Sequence, residues 1–393
     1  MTARARGGAG IDYANARVRA RRAKLLRAGD YTTLLEQPNL ESVLAELNHG
    51  KYAEDIERSM VALSGAPVVG RATGDFFTRE LALVLKLYSP KEGRALMVLA
   101  AMWDIEDLKT VVRSAYAGQP AATTIASFRG GGVTIGHDEL AMLAREQSVE
   151  AVVATASTLS LPYAAALRAG AKQYAASKTL SDFEAAIDRE YAEWAAGELQ
   201  AAKGGGLAGE YVQRMIDVRN IMTALRLLSS GGVGQSLSAA ASASAASSHV
   251  QARAGRQENA SAAAPTTSVR EFIRTYFLPG GAALDVPHFR RMLNSGSVEE
   301  SINALASTPY ARTLRHVLGE YALSGSLAEF ERVLTQLVLR ETVRVGKRDL
   351  LGMGVPAAYL LSLQAEVANL RVIAHGKAFG IPNEMLSKEL NLV

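Results

Sequence analysis

Cysteine is absent from this chain of 393 residues. That excludes a disulfide framework, a thiolate metal site and a cysteine nucleophile, and it suits a reducing compartment. Aromatic residues make up only 6%, and alternating Val/Ile/Thr runs are scarce, so strand signals are few. No stretch reads as a membrane span. The longest core-like uncharged run, 151–167, is interrupted by Thr155, Ser157, Thr158, Ser160 and Pro162 and falls short of about twenty apolar residues. The opening MTARARGGAGIDY has a basic flank but no apolar stretch behind it, so no secretory signal is expected. Net charge is +4, yet residues 1–30 carry eight Lys and Arg against Asp12 and Asp30. The basic excess therefore sits at one end.

Catalytic constellations are missing too. The histidines, His49, His137, His249, His288, His316 and His375, show no metal-ligand spacing, and there is no H-E-x-x-H. The clusters Gly130 to Gly132, Gly204 to Gly206 and Gly231-Gly232 lack the lysine and hydroxyl that a phosphate loop places on its ligand, and so read as turns. No G-x-S-x-G elbow occurs. The adjacent pair Glu299-Glu300 suits a helix start, where carboxylates meet the positive end of the dipole, better than acid/base chemistry. No catalytic residue, cofactor, metal or small-molecule substrate is expected.

What the chain does have is a pattern used four times. It runs Asp12-x-x-Asn15 with Arg21, Asp104-x-x-Asp107 with Arg113, Asp217-x-x-Asn220 with Arg226, and Glu366-x-x-Asn369 with His375. The acid-to-base spacing is nine residues each time. Gly118, Gly231 and Gly380 stand where a left-handed helix cap belongs, and Pro120 and Pro382 follow as stops. Abundant Ala, Leu, Arg and Glu favour helices around these motifs, and the predicted fold class is all-α. A helix precedes each later motif, announced by GDFFTREL at 74–81, LSDFEAAI at 180–187 and LAEFERVL at 327–334.

The segments after the glycines echo one another as well. Gly131-Gly132, Leu140, Leu143, Ser148-Val149-Glu150 and Pro162-Tyr163 are matched by Gly280-Gly281, Phe289, Met292, Ser297-Val298-Glu299 and Pro309-Tyr310. A shortened version runs from Leu40-Glu41 to Tyr52. A repeated unit with an apolar stripe must bury it against neighbours. The predicted organisation is therefore helical repeats at 12–103, 104–216 and 217–365, with a closing helix at 366–393. The Ser/Ala-rich stretch 233–268 has no apolar anchor to offset its ordering entropy and is predicted to be a disordered insertion.

Nine helical residues turn the chain by about 900°, so Asp104 and Arg113 point to opposite sides and cannot bond each other. Polar fasteners from one repeat to the next are expected instead, made by Asp107, Arg113, Asn220, Arg226, Asn369 and His375.

The words DYANARVRARRAKLL at 12–26, WDIEDLKTVVRSAYAG at 103–118, IDVRNIMTALRLL at 216–228 and NLRVIAHGKAFGIPNEMLSKELNLV at 369–393 resemble the C subunit of the V/A-type ATPases. Its counterpart in the vacuolar enzyme is the d subunit. The likeness covers nearly the whole chain outside the insertion. It implies a funnel of three pseudo-threefold helical units around a central cavity, in the central stalk of a rotary ATPase or ATP synthase. A protein of that kind has no catalytic residue and no cofactor. It joins the rotating shaft, made of the D and F subunits, to the membrane proteolipid ring at the cytoplasmic face, during proton or sodium transport. The resemblance also marks His375 as a departure from a more usual arginine-like base. Separately, the basic helix around Arg17, Arg19 and Arg21 is expected to meet a partner in that assembly, or anionic lipid headgroups. The alternative reading is a helical adaptor that binds nucleic acid through the same basic segment. It is weakened because the cations are not interleaved with aromatics.

Overall fold

A computed structural model describes residues 10–177, 180–229 and 269–393, and among them every regular element is a helix. Gly231 and the stretch 233–268 lie outside the described residues. The chain divides into two compact units, one made of Met1–Val212 with Leu339–Val393 and the other of Gln213–Val338.

The larger unit is built on two long helices that carry copies of the motif. One is α6 (Pro90–Ala117), which follows α5 (Ala66–Leu85). Its start is determined locally: Ser89 accepts the Glu92 N–H while the Glu92 carboxylate takes the Ser89 N–H, with Pro90 at the first helical position, a complete capping box. It ends on Gly118 at φ +64°, where the Gln119 N–H reaches back to the Ser114 carbonyl at 2.9 Å. The other is α19 (Gly354–Ala378), closed the same way. Gly380 has φ +67° and the Ile381 N–H reaches the Gly376 carbonyl at 2.8 Å. These are the left-handed caps that the glycine spacing foretold. Pro120 and Pro382 do more than stop a helix, since each is the N-cap of the next one, α7 (Ala121–Ala126) and α20 (Asn383–Glu389).

Helix α19 is buried on nearly every side, as befits a helix apolar all round. It packs against α1 (Ile11–Arg22), α3 (Leu40–Leu47), α5 and α20. Leu370, Ile373 and Ala374 share a core with Tyr31, Leu34, Val43 and Ile56, from α2 (Ala28–Glu36), α3 and α4 (Ala53–Met60). Each such aliphatic side chain contributes about 1.5–3 kcal/mol by leaving water. Helix α6 packs against α5, α7, α8 (His137–Leu143), α9 (Val149–Thr158) and α11 (Leu180–Ala201), and α10 (Ala164–Ser177) lies on α9 and α11.

The smaller unit contains the motif-bearing part of α12 (Gly206–Ser229) and the short helices α13 (Val269–Tyr276), α14 (Val286–Leu293), α15 (Val298–Asn303), α16 (Ala311–His316) and α17 (Leu318–Ser324), together with the first half of α18 (Ala328–Arg348). The short helices pack in chain order, each on the next. The repeated Ser-Val-Glu words acquire a cause here. Ser148 and Ser297 are the N-caps of α9 and α15, and Asn39 caps α3 in the shortened version. Each accepts a backbone N–H three residues on, a bond worth about 1 kcal/mol.

Candidate functional site

Three of the four motif copies bury the acid, all four bury the residue three positions on, and two of the acids, Asp104 and Asp217, do the same thing. Asp104 on α6 is fully buried. It accepts the N–H groups of Gly132 at 2.6 Å, Val133 at 3.0 Å and Thr134 at 2.6 Å, and the Thr134 hydroxyl at 2.9 Å. Asp217 on α12 is equally buried and accepts from the N–H groups of Ala282 at 3.2 Å, Ala283 at 2.8 Å and Leu284 at 3.1 Å. Each carboxylate gathers consecutive backbone donors of a turn that would otherwise be orphaned away from water.

A tyrosine completes each arrangement. Tyr310 donates its hydroxyl to Asp217 at 2.8 Å, and Tyr163 sits 3.5 Å from the Thr134 hydroxyl that bonds Asp104. In the fourth copy Tyr52 donates to Glu366 at 2.6 Å. Burial lifts the pKa of Asp104 and Asp217, against the pull of these donors. It also raises Tyr52 well above the ordinary phenol value, with the Glu366 charge adding to the effect.

The residue three positions on from the acid holds the neighbouring peptide. Asp107 accepts the Arg129 and Gly130 N–H groups at 2.6 and 3.2 Å. Asn220 brackets Leu278, accepting its N–H at 2.8 Å and donating to its carbonyl at 2.9 Å. Asn369 treats Asn391 identically, at 2.7 and 3.1 Å. Burial pushes the Asp107 carboxyl up to about 7, opposed by the Arg129 N–H and the Arg371 cation.

The glycine pairs are explained by the acids. A Cβ on Gly131 would stand 1.8 Å from an Asp104 oxygen, and one on Gly281 would stand 2.1 Å from an Asp217 oxygen. Gly130 and Gly280, just before, have φ of +86° and +89°. The structural correspondence is therefore Gly130-Gly131 with Gly280-Gly281, one residue away from the register that the sequence echo suggested.

Copy four is split between distant parts of the chain. Glu366 accepts the Leu26 N–H at 2.6 Å and pairs with Lys51 at 2.5 Å, besides taking the Tyr52 hydroxyl. Copy one is different again. Asp12 is exposed, while Asn15 is buried and donates to the Leu351 and Gly352 carbonyls at 2.8 and 3.2 Å. The Tyr88 hydroxyl donates to Asn15 at 2.7 Å.

The arginines at the ninth position reach a later helix. Arg113 makes a two-pronged pair with Glu184 at 2.6 and 2.7 Å, and Arg226 meets Glu331 at 2.5 Å. Both glutamates directly follow the phenylalanine of the repeated word, Phe183 and Phe330. Arg21 pairs with Glu80 at 2.7 Å, and Tyr359 donates to the same carboxylate at 2.7 Å. His375 lies at the surface, where partial desolvation and the Arg371 cation hold its pKa below the ordinary imidazole value.

These contacts correct the direction expected of the fasteners. The bonds of Asp107, Arg113, Asn220, Arg226 and Asn369 all run to a segment of the same copy. For Asp107, Asn220 and Asn369 the physical reason is that a buried peptide needs a partner for its own N–H, and the motif helix packed beside it supplies one; Arg113 and Arg226 instead pair with glutamates of a later helix. Bridges between copies are made by other residues, among them Asn15 and Tyr359 and one that sequence reasoning missed. Arg371 donates to the Gly70 carbonyl at 2.8 Å, the Ser127 carbonyl at 3.1 Å and the Phe128 carbonyl. Burial lowers its pKa to about 10 despite Asp107 nearby.

Of the basic trio on α1, Arg21 is spent on Glu80 and Arg19 donates to the Leu350 carbonyl. Arg17 is exposed, with its guanidinium 5.8 Å from the Tyr13 ring centroid. Among the described residues no group of His, Asp and Glu is placed to hold a metal ion, and no helix is long and apolar enough to cross a membrane.

The carboxylates of Asp104 and Asp217 are filled with donors, and what they do is lock loops to long helices. A family model described as ATP synthase (C/AC39) subunit matches residues 14–251 and 258–389. The chain is 25% identical to the C subunit of an A-type ATP synthase from Methanocaldococcus jannaschii, over 97% of this chain and 86% of that one. It is 22% identical to the C subunit of the A-type enzyme of Haloquadratum walsbyi, over 97% and 98% of the two chains. It is 23% identical to the C subunit of a V-type ATP synthase from Deinococcus radiodurans, over 96% and 90%.

Proposed function

The chain belongs to the ATP synthase (C/AC39) subunit family, an accessory and non-catalytic part of the complex, and from that premise we propose that it is the central-stalk member of a V/A-type rotary ATPase. In this reading it joins the shaft, made of the D and F subunits, to the proteolipid ring, peripherally at the cytoplasmic face of the membrane, and passes torque between them. Three pseudo-symmetric helical units form a funnel around a central cavity that receives the shaft end.

The observation that carries the reading is the recurring brace. A coupling piece must not deform under load. Packed helices resist compression, but the loops joining them are the weak members. Here the loop between α7 and α8 and the loop before α14 are each clamped by a buried carboxylate through several N–H bonds, and Glu366 clamps the exit of α1. Charge-assisted bonds of this kind are about twice as strong as neutral ones.

The nucleic-acid reading has less support, because Arg19 and Arg21 are engaged within the chain. Tagged protein recovered from membranes under mild detergent tests the proposal. Shaft and proteolipid subunits are expected to come with it; recovery of the chain without either would reject the stalk assignment.

A further inference from the structure

We propose that the turn at 349–352, tipped by Leu350 and Leu351, is a seat for an anionic phospholipid surface. The two leucines are 70% and 66% exposed, and Val345, one helical turn back, is 52% exposed. A pair of large aliphatic side chains at the tip of a turn, held out in water, is a contact surface awaiting an apolar neighbour.

The backbone of the turn is prepared for such a neighbour. The Leu350 carbonyl accepts from Arg19, and the Leu351 and Gly352 carbonyls accept from Asn15. On the donor side, the N–H groups of Leu351, Gly352 and Gly354 bond the Asp349 carboxylate at 3.1, 2.7 and 2.8 Å. Asn15 is itself fixed by the Tyr88 hydroxyl. A turn that stays in water can leave these groups to the solvent. One that enters the boundary between headgroups and acyl chains must satisfy them internally, since an unpaired peptide group there is costly. The same bonds hold the leucines outward without further ordering.

Charge selects the occupant. Arg344, Lys347 and Arg348, spaced three and four apart at the end of α18, are exposed, and Arg19 stands on the other flank of the turn. Asp349 is the one acid between residues 342 and 354, and its oxygens are taken up by the three N–H groups. Cations around an apolar tip match phosphate headgroups above an acyl layer, the arrangement of a protein that lies on a membrane without spanning it. All of these groups belong to the larger unit. The proposal does not depend on the stalk assignment.

The test is flotation of the purified full chain with vesicles of phosphatidylcholine alone, or of phosphatidylcholine mixed with phosphatidylglycerol. Binding is expected on the mixed vesicles only and should weaken as salt is raised. Leu350→Ser with Leu351→Ser should lower the affinity about tenfold or more, and Arg344→Gln with Arg348→Gln by about tenfold. Thermal unfolding of each variant should match the parent, because the altered side chains are exposed. Equal binding to neutral vesicles, or full binding by the double serine variant, would overturn the proposal. So would a serine variant that floats normally but no longer recovers partner proteins from membranes, because the tip would then be seated in a protein.

Discussion

At the scale of single residues the molecule depends on a few buried acids whose value lies in what they accept. Asp104 satisfies three strong backbone donors and a hydroxyl. Asp104→Ala should therefore cost about 3 kcal/mol or more by orphaning them, seen as a lower urea midpoint of the intact chain. Asp104→Asn should cost less, on the order of 1–3 kcal/mol, since its amide keeps one acceptor but turns a donor towards donors. Asp107 gives a pH signature instead. Burial raises its carboxyl from 3.8 to about 7, so between those values the folded chain holds a proton that the unfolded chain has released. This group's contribution to stability is thus fully present below about pH 4 and is lost as pH rises towards 7, with a slope of at most about 1.4 kcal/mol per pH unit. Asp107→Asn removes that slope. Urea midpoints of parent and variant at pH 5 and pH 8 should diverge, the parent losing ground at the higher pH; parallel behaviour would refute the assignment.

At the scale of elements, loop glycines and acids fit one another as pairs. Gly281→Ala should destabilise, because its methyl group would overlap the Asp217 carboxylate. Gly197→Ala, on an exposed face of α11 where a Cβ meets nothing within 4 Å, should stabilise by about 0.5–1 kcal/mol through helix propensity. Thermal unfolding of the two variants side by side checks both signs. Much at this scale was legible beforehand. Helix class followed from composition, the caps at Gly118 and Gly380 from their spacing, and the Ser-Val-Glu words proved to be N-caps. Helical periodicity says which way a side chain points, but not what waits there. Asp107 and Asn220 were expected to fasten one repeat to the next, whereas their partners are peptides within the same repeat, which carry no sequence signature. The recurring tyrosine was visible as an echo, though the hydroxyl contacts of Tyr52 and Tyr310 with their acids were not. Arg371 stands five residues after its acid, where copies one and two also carry a base, Arg17 and Lys109, and the third departs with Met222; the repeated cation was there to be read, but its carbonyl partners carry no sequence signature.

At the scale of the whole chain, the consequential fact is that the last long helix braces the first short ones. Glu366 holds the Leu26 N–H from 340 residues away, together with Lys51 and Tyr52, while Asn369 holds Asn391. The segment 26–52, with α2 and α3 inside it, is anchored at both ends by one carboxylate. Asp217 does the equivalent work for its own unit entirely from within 213–338. Losing Glu366 should therefore be felt far from it in sequence and yet be confined in space. In Glu366→Ala, the Leu26 N–H and the Tyr52 hydroxyl lose their acceptor and Lys51 loses its counter-ion. At about 1–3 kcal/mol for each orphaned group, local opening of 26–52 should become easier by about a hundredfold or more. Hydrogen exchange followed by mass spectrometry would show this as faster labelling of peptides from 26–52, with peptides from 278–310 unchanged. Unaltered protection in 26–52 would mean that apolar packing on α19 holds that segment without the carboxylate. Equal loss in 278–310 would mean that the two units do not open independently. Only the confined pattern fits a segment held at both ends by that one carboxylate.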